Sequence, residues 1–233
     1  MSAAMTVLHV GCGAPNPEKL PVPFRGDSWR EIRFDIDPAV RPDVTGTMTD
    51  MSSFADGSVD AVYSSHNLEH LYVQEIPLAL KEFIRVLKRS GFALITCPDL
   101  QSIAALVADD KLIEPAYTSP AGPISPFDMI YGHRASLVKG NLHMAHRSGF
   151  TARLLAVTLR EIGFNHVVVT RDRPNFALWA IATKTAWPDA ETKAIVQLFM
   201  PQGTANYVGN PANAAASGDK FEANQASGVL KTR

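Results

Sequence analysis

Cysteine is nearly absent from the 233 residues: Cys12 and Cys97 are the two, far apart and each in an apolar, strand-like run. They offer neither a disulfide framework nor a cysteine-based zinc site, so a reducing compartment is expected. No apolar run approaches the ~20 residues of a membrane span, and the first residues lack a basic stretch followed by a long apolar one. A soluble, cytoplasmic protein with no membrane insertion is therefore expected. Excess charge is missing too, since 22 Lys+Arg oppose 23 Asp+Glu. A broad phosphate-binding surface needs a surplus of cations, so nucleic acid is not an expected partner. Internal repeats are absent. What is present is core material: 46% of the residues are hydrophobic and 19% charged, which suits one domain of ordinary size with an appendage.

Apolar runs alternate with helical patterns. Residues 6–10 (TVLHV), 31–36 (EIRFDI), 43–47, 59–64 (VDAVYS) and 92–97 (FALITC) read as strands. Over residues 74–87, Ile76, Leu80, Phe83, Ile84 and Leu87 form one helical stripe, with Lys81, Glu82, Arg85 and Lys88 opposite; Ser90-Gly91 is predicted to end that helix. A second helix runs over 151–162, begun by Thr151 and closed by Gly163. Residues 167–170 and 176–183 follow as an antiparallel hairpin through Asp172-Arg173-Pro174-Asn175. The alternation predicts a doubly wound α/β sheet with one antiparallel member. Residues 1–184 are taken as the domain. It carries an insertion at about 100–141, broken by Pro115, Pro120, Pro123 and Pro126, that reads as a lid or substrate-binding segment. Residues 185–233 supply a short helix over 189–199 and, beyond Pro201, a tail of Gly, Asn, Ala and Ser predicted to be disordered.

The first strand runs into Val10-Gly11-Cys12-Gly13. A nucleotide loop of the Gly-x-Gly-x-x-Gly type would have a third glycine and then a helix; here Pro15, Pro17, Pro21 and Pro23 leave room for a loop or a single turn. Taken alone, the pair of glycines fits a tight turn as well as a cofactor loop. Asp35 stands at the end of the second strand, about 20 residues on, where a carboxylate accepts hydrogen bonds from both ribose hydroxyls. No Arg or Lys directly follows it to favour a 2′-phosphate. The other reading of Asp35 is half of an Asp-x-Asp-Pro cap, a role that suits Asp37 better.

VLHVGCG, RFDIDP, FADGSVDAVYSSHNLEHL and ALKEFIRVLKRSGFALITCPDL follow one another over residues 6–100, and LVKGNLHMAHRSGFTARLLAVTLREIGF precedes the hairpin. In that order they resemble the class I S-adenosylmethionine-dependent methyltransferases, in particular small enzymes consisting of the methyltransferase domain alone. The resemblance implies a Rossmann-like, mostly parallel sheet of the seven-stranded type, with S-adenosyl-L-methionine as cofactor. It places Val10, Gly11, Cys12 and Gly13 under the cofactor, the glycines because a β-carbon would collide with it. It assigns Asp35 to the ribose, counts Ile36 among the cofactor-binding residues, and gives Asp50 to the adenine and Met48 or Met51 to the adenine face. Ser64, Ser65 and His66 correspond to the segment facing the sulfonium and the methionine carboxylate. Two departures stand out: Arg89-Ser90-Gly91 replaces the usual glycine pair, and the first crossover helix is missing.

A rival reading exists for His66-Asn67-Leu68-Glu69-His70, which fits H-x-x-E-H, the inverted zinc-peptidase motif, with Glu82 or Glu114 as third ligand. It comes directly off a strand, without the long helix such ligands need, so no metal is expected. In the family Leu68 faces the core, while Glu69 and His70 cap or pair near the next helix. An alcohol or phenol acceptor would benefit from a base, and His66, Asp99, His143 and His146 are candidates. His133, His143 and His146 line a substrate pocket or lie on a loop surface; Asp99 contacts the acceptor or caps a helix; Tyr131 is a further pocket candidate. No Asn/Asp-Pro-Pro-Tyr stretch follows the fourth strand, which with the neutral charge favours a small-molecule, glycan or lipid-type acceptor. A non-catalytic cofactor-binding relative is the third reading, and the oligomeric state is not legible.

Overall fold

In the computed structural model, residues 4–201 and the backbone of 206–209 are described. Parallel strands β1 (Met5–Val10), β2 (Trp29–Asp35), β3 (Val44–Thr45), β4 (Val59–Ser65) and β5 (Leu87–Pro98) form one sheet with β8 (Val167–Asp172), antiparallel β9 (Ala177–Thr183) and an edge strand β10 (Asn206–Gly209). Their order across the sheet is β3-β2-β1-β4-β5-β9-β8-β10. Val7, Leu8 and Val10 of β1 are all within 1% of full burial. That is the run expected of a central parallel strand, covered on both faces. The direction of strand succession reverses between β1 and β4, the topological position where α/β sheets open a crevice at the carboxyl ends.

Helices α1 (Ile76–Val86) and α5 (Ala152–Ile162) cover one face, placing Leu80, Phe83, Leu155 and Leu159 against Val62, Ile95 and Val169. α5 begins and ends as its sequence predicts. The Thr151 hydroxyl accepts from the Leu154 amide at 3.2 Å, and Gly163 closes the helix at φ 114°. Thr151→Ala is expected to cost about 1 kcal/mol and to lower the thermal midpoint by about 2–4 °C, checked by calorimetric unfolding.

Ser90-Gly91 does not end α1. The helix stops at Val86, β5 starts at Leu87, and the pairing with β4 jumps from Val59↔Leu87 to Ala61↔Phe92. Residues 88–91 bulge opposite Asp60, whose carboxylate takes Lys88 Nζ at 2.8 and 2.9 Å. A β-carbon on Gly91 would lie 3.0 Å from both the Asp60 and Lys88 carbonyl oxygens, so the glycine serves the bulge.

The opposite face has no helix between β1 and β2. Two 3₁₀ turns, Pro17–Lys19 and Val22–Phe24, stand there. Phe24 fills the gap, with ring centroids 4.5 Å from Phe199, 4.8 Å from Trp29 and 6.2 Å from Phe92. Phe199 ends α6 (Asp189–Phe199), the helix predicted over those residues, and packs with Met200, Trp187 and Ile195 in the same apolar cluster. A proline-rich loop and a C-terminal helix thus do the covering that a crossover helix would otherwise do.

The proline-interrupted insertion is ordered into α2 (Leu100–Ala108), a hairpin of β6 (Tyr117–Ser119) and β7 (Gly122–Ile124), α3 (Pro126–Tyr131) and α4 (Arg134–Val138). Ser125 and Asp128 form a capping box on α3, and Arg134 Nε donates to Asp128 at 2.8 Å, so these contacts hold the Asp128 carboxyl far below the usual range despite its burial. The predicted disorder after Pro201 falls outside the described residues, apart from 206–209, whose backbone pairs with β8. Among the described residues no helix is long and apolar enough to cross a membrane.

Candidate active site

A cavity of about 540 Å³ opens at the carboxyl ends of β1, β2 and β4, where the strand order reverses. One wall is the loop after β1 with Asp35 and Ile36; another is Thr47 and Met48 after β3. Ser65, His66 and His70 line it after β4, and Asn141, His143, Met144 and Arg147 close it from the far end of the insertion.

The loop after β1 is tied to β2. Gly11 and Cys12 amides donate to the Phe34 carbonyl at 2.8 and 3.3 Å, and the Gly13 amide donates to Asp35 Oδ2 at 2.7 Å. Both glycines sit at positive φ, 64° and 59°. The expected reason for Gly11 was a collision with the cofactor; the structure supplies a different one. A β-carbon there would lie 2.0 Å from Asn67 Oδ1, because the Asn67 side chain crosses Gly11 to donate to the Val10 carbonyl at 2.8 Å. Above Gly13 stands Lys19 Nζ, which donates to the Cys12 and Ala14 carbonyls at 3.1 Å each. Arg33 binds the Gly13 carbonyl as well.

Asp35 does two jobs. Its Oδ2 holds Gly13 and its Oδ1 accepts the Asp37 amide at 2.9 Å, while Asp37 itself caps the next turn by accepting Ala39 N–H at 2.8 Å. A carboxylate offers about four lone-pair directions, so about two remain on a group that lines the cavity.

The other candidate residues divide. Val10, Gly11, Gly13, Ile36, Ser65, His66 and His143 share the cavity wall. Cys12 is 1% exposed and lines a smaller neighbouring pocket, and burial pushes its thiol up to about 11. Met51 is fully buried in the core, and Asp50 caps Ser52, whose hydrogen bonds hold its carboxyl below the usual value. Of the two methionines, Met48 is the one on the cavity wall. Asp99 is buried at 1%, accepting from Ser102 at 2.5 Å with Arg171 Nε 3.6 Å away, off the cavity wall. His146 and Tyr131 are also off that wall, as is His133, which pairs with Ser136 at 2.9 Å. Lys19, Asn67, Leu71 and Arg147 line the cavity but were not among the sequence candidates. The one signal for Lys19 was a lone cation within the proline-broken loop, between Pro17 and Pro21.

Beneath the cavity floor lies Glu69, 1% exposed. His66 Nδ1 stands 3.3 Å from Oε1, near enough to attract the carboxylate but not aligned as a hydrogen bond, so neither oxygen has a hydrogen-bond partner. Burial raises the Glu69 carboxyl, but the surrounding imidazoles, His66 foremost, hold it below the ordinary value. The structure brings Glu69 and His70 together with His146, not with Glu82 or Glu114. Glu82 instead binds Arg85 at 2.7 Å and the Met51 amide at 2.6 Å.

S-adenosylmethionine asks this wall for a carboxylate at the ribose, an apolar surface for the adenine and close backbone approach. Asp35 has lone pairs left, Ile36, Val40 and Met48 supply apolar surface, and Gly11 and Gly13 line the cavity beside the Asn67 and Lys19 side chains that stand over them. The residues present fit the cofactor.

Comparison with known proteins bears on the same region. Residues 8–95 match the family described as "Methyltransferase domain", a span from β1 to β5. No curated protein matches the chain by sequence. Among solved structures, a Pyrococcus horikoshii protein is similar at 15% identity and a TM-score of 0.55, over 78% of this chain and 82% of its own. S-adenosylmethionine-dependent methyltransferase from Methanosarcina mazei is similar at 14% identity and a TM-score of 0.53, over 80% and 95%. The 1,6-didemethyltoxoflavin-N1-methyltransferase of Burkholderia thailandensis, solved with S-adenosylhomocysteine, is similar at 16% identity and a TM-score of 0.50, over 78% and 72%. At these identities the structures share the fold. The match to a methyltransferase domain thus spans residues 8–95, the strands that build the cavity wall, on a fold shared with S-adenosylmethionine-dependent methyltransferases.

Proposed function

We propose that the domain methylates a small-molecule acceptor held between the loop after β1 and residues 141–147, which follow the insertion. The observation that carries this reading is one cavity shared by Asp35, the loop glycines, His66 and His143. Bound there, the cofactor supplies a methyl group already activated on a sulfonium. The protein's own part is then to orient the partners and to exclude water.

Asp35 accepts from the ribose hydroxyls, and Ile36 with Met48 covers the adenine. Lys19, the cation above Gly13, meets the methionine carboxylate. Lys19→Met is expected to weaken S-adenosylhomocysteine binding about tenfold, the worth of one charge-assisted hydrogen bond, read by calorimetric titration. The same loss in 0.5 M salt as in low salt would argue against a charge interaction, since an ionic contact weakens under screening (~0.5 M is chosen to shorten the Debye length to a few ångströms).

His66 and His143 are the candidate bases that reach the cavity, and His66 is the one backed by a carboxylate. If the acceptor carries a hydroxyl, His66 takes its proton and Glu69 stabilises the resulting imidazolium. The near-neutral net charge and the polar far wall of Asn141, His143 and Arg147 favour a small, polar acceptor. Incubating the protein with cell extract and methyl-labelled cofactor tests the reading. Label is expected in the low-molecular-mass fraction; label confined to macromolecules, or none, would overturn it.

A further inference from the structure

At the cavity wall His70 meets Glu69 and His146, and both histidines have their ring protons already committed. His70 Nδ1 is 3.1 Å from the Ala145 carbonyl, and His146 Nδ1 is 2.9 Å from the Met129 carbonyl. A carbonyl only accepts, so Nδ1 carries the proton in each ring and Nε2 is left as a lone pair in the neutral form. The third member, Glu69, is buried with both oxygens lacking a hydrogen-bond partner. One donor atom from each of the three lies within 4.8 Å of the others, and neither imidazole approaches Glu69 closely enough for an ion pair.

Three electron-pair donors thus converge without a donor proton between them. His66 Nδ1 lies 3.3 Å from one Glu69 oxygen, but neither oxygen accepts a hydrogen bond, and a buried carboxylate so placed is stabilised further by a cation. Tying the distal ring nitrogen to a backbone carbonyl is also how metal-bound histidines are oriented. We propose that Glu69, His70 and His146 form a site for a divalent transition-metal ion of the zinc type. Ligands at about 2.1 Å from a tetrahedral ion stand about 3.4 Å apart, so closure asks each side chain to move by roughly an ångström.

This ligand set differs from the H-x-x-E-H reading. His146 replaces His66, and Glu69 is a ligand rather than a general base. The ion would join the turn after β4 to the end of the insertion, where the Arg147 and Ser148 amides already donate to the Glu69 carbonyl at 2.7 and 3.1 Å. Because His70 lines the cavity, a fourth position opens toward the acceptor, suited to an oxygen or nitrogen donor. That last step rests on the acceptor reading above; the metal site does not.

The test uses the full chain, stripped with a chelator and titrated with cobalt(II) and zinc(II) without cofactor or acceptor. One equivalent per chain is expected, with the visible spectrum of a four-coordinate cobalt centre and a raised thermal midpoint. Glu69→Gln and His146→Ala are each expected to weaken binding at least about tenfold, while His133→Ala leaves it unchanged. Failure to bind one equivalent, a six-coordinate spectrum, or equal binding by the wild type and both site variants would overturn the proposal. If either variant fails to fold, the wild-type stoichiometry and spectrum decide. S-adenosylhomocysteine titration of the same samples separates this outcome from a failure of the methyltransferase reading.

Discussion

Asp35→Ala is expected to weaken S-adenosylhomocysteine binding by about 10²–10³-fold, a loss of about 3–4 kcal/mol. Two effects combine. The substitution removes a charged acceptor for the ribose hydroxyls, each such bond being worth about 1.5–3 kcal/mol. It also releases the Gly13 amide, held at 2.7 Å, and the Asp37 amide, held at 2.9 Å, so the loop after β1 loses its tie to β2. Asp35→Asn keeps one carbonyl oxygen and the shape, and is expected to lose about tenfold. Titration calorimetry on both variants reads the difference, with circular dichroism confirming the sheet. Loss of the fold in Asp35→Ala with unchanged affinity in Asp35→Asn would assign the residue to the turn alone.

Gly11→Ala carries the second large effect, and it is an effect on stability. At φ 64° an alanine pays about 1 kcal/mol for the left-handed conformation. Its β-carbon would lie 2.0 Å from Asn67 Oδ1, so Asn67 must leave, and the Val10 carbonyl loses a buried donor at 2.8 Å. An unsatisfied buried group costs about 1–3 kcal/mol. Together these give about 3 kcal/mol and a thermal midpoint lower by about 6–12 °C. Gly26→Ala is the control: nothing lies within 4 Å of its β-carbon, and no change beyond about 0.5 kcal/mol is expected. Gly11→Ala in an Asn67→Ala background should recover part of the loss, because the obstructing side chain is gone.

Much of this fold was legible because its signals are local. The helix over 189–199 and the Thr151 and Gly163 ends of α5 follow from caps and periodicity within a few residues. The sheet class and the approximate strand positions followed from alternation. Asp35 was legible because it ends a strand at a fixed distance from a glycine loop. Other features depend on pairing across the chain. Ser90-Gly91 looks like a helix stop in sequence, and it takes the register with Asp60 to make it a bulge. Met48 and Met51 are equivalent by spacing, and the turn between them decides which reaches the cavity and which enters the core. The absent crossover helix was readable from the prolines, yet its replacement by Phe24 and α6 was not, because those residues meet only in the folded molecule. Asn67 over Gly11 and His146 beside Glu69 are of the same kind, brought together by topology rather than by any motif.

The central claim is that the cavity at the ends of β1, β2 and β4 is a cofactor site. Calorimetric titration of the purified chain with S-adenosylhomocysteine tests it most directly. The structure predicts one molecule bound per chain with a dissociation constant on the order of micromolar, lost in Asp35→Ala. A folded protein that gives no heat and no thermal shift at millimolar ligand (~1 mM, where an affinity of about 4 kcal/mol would register) would contradict it.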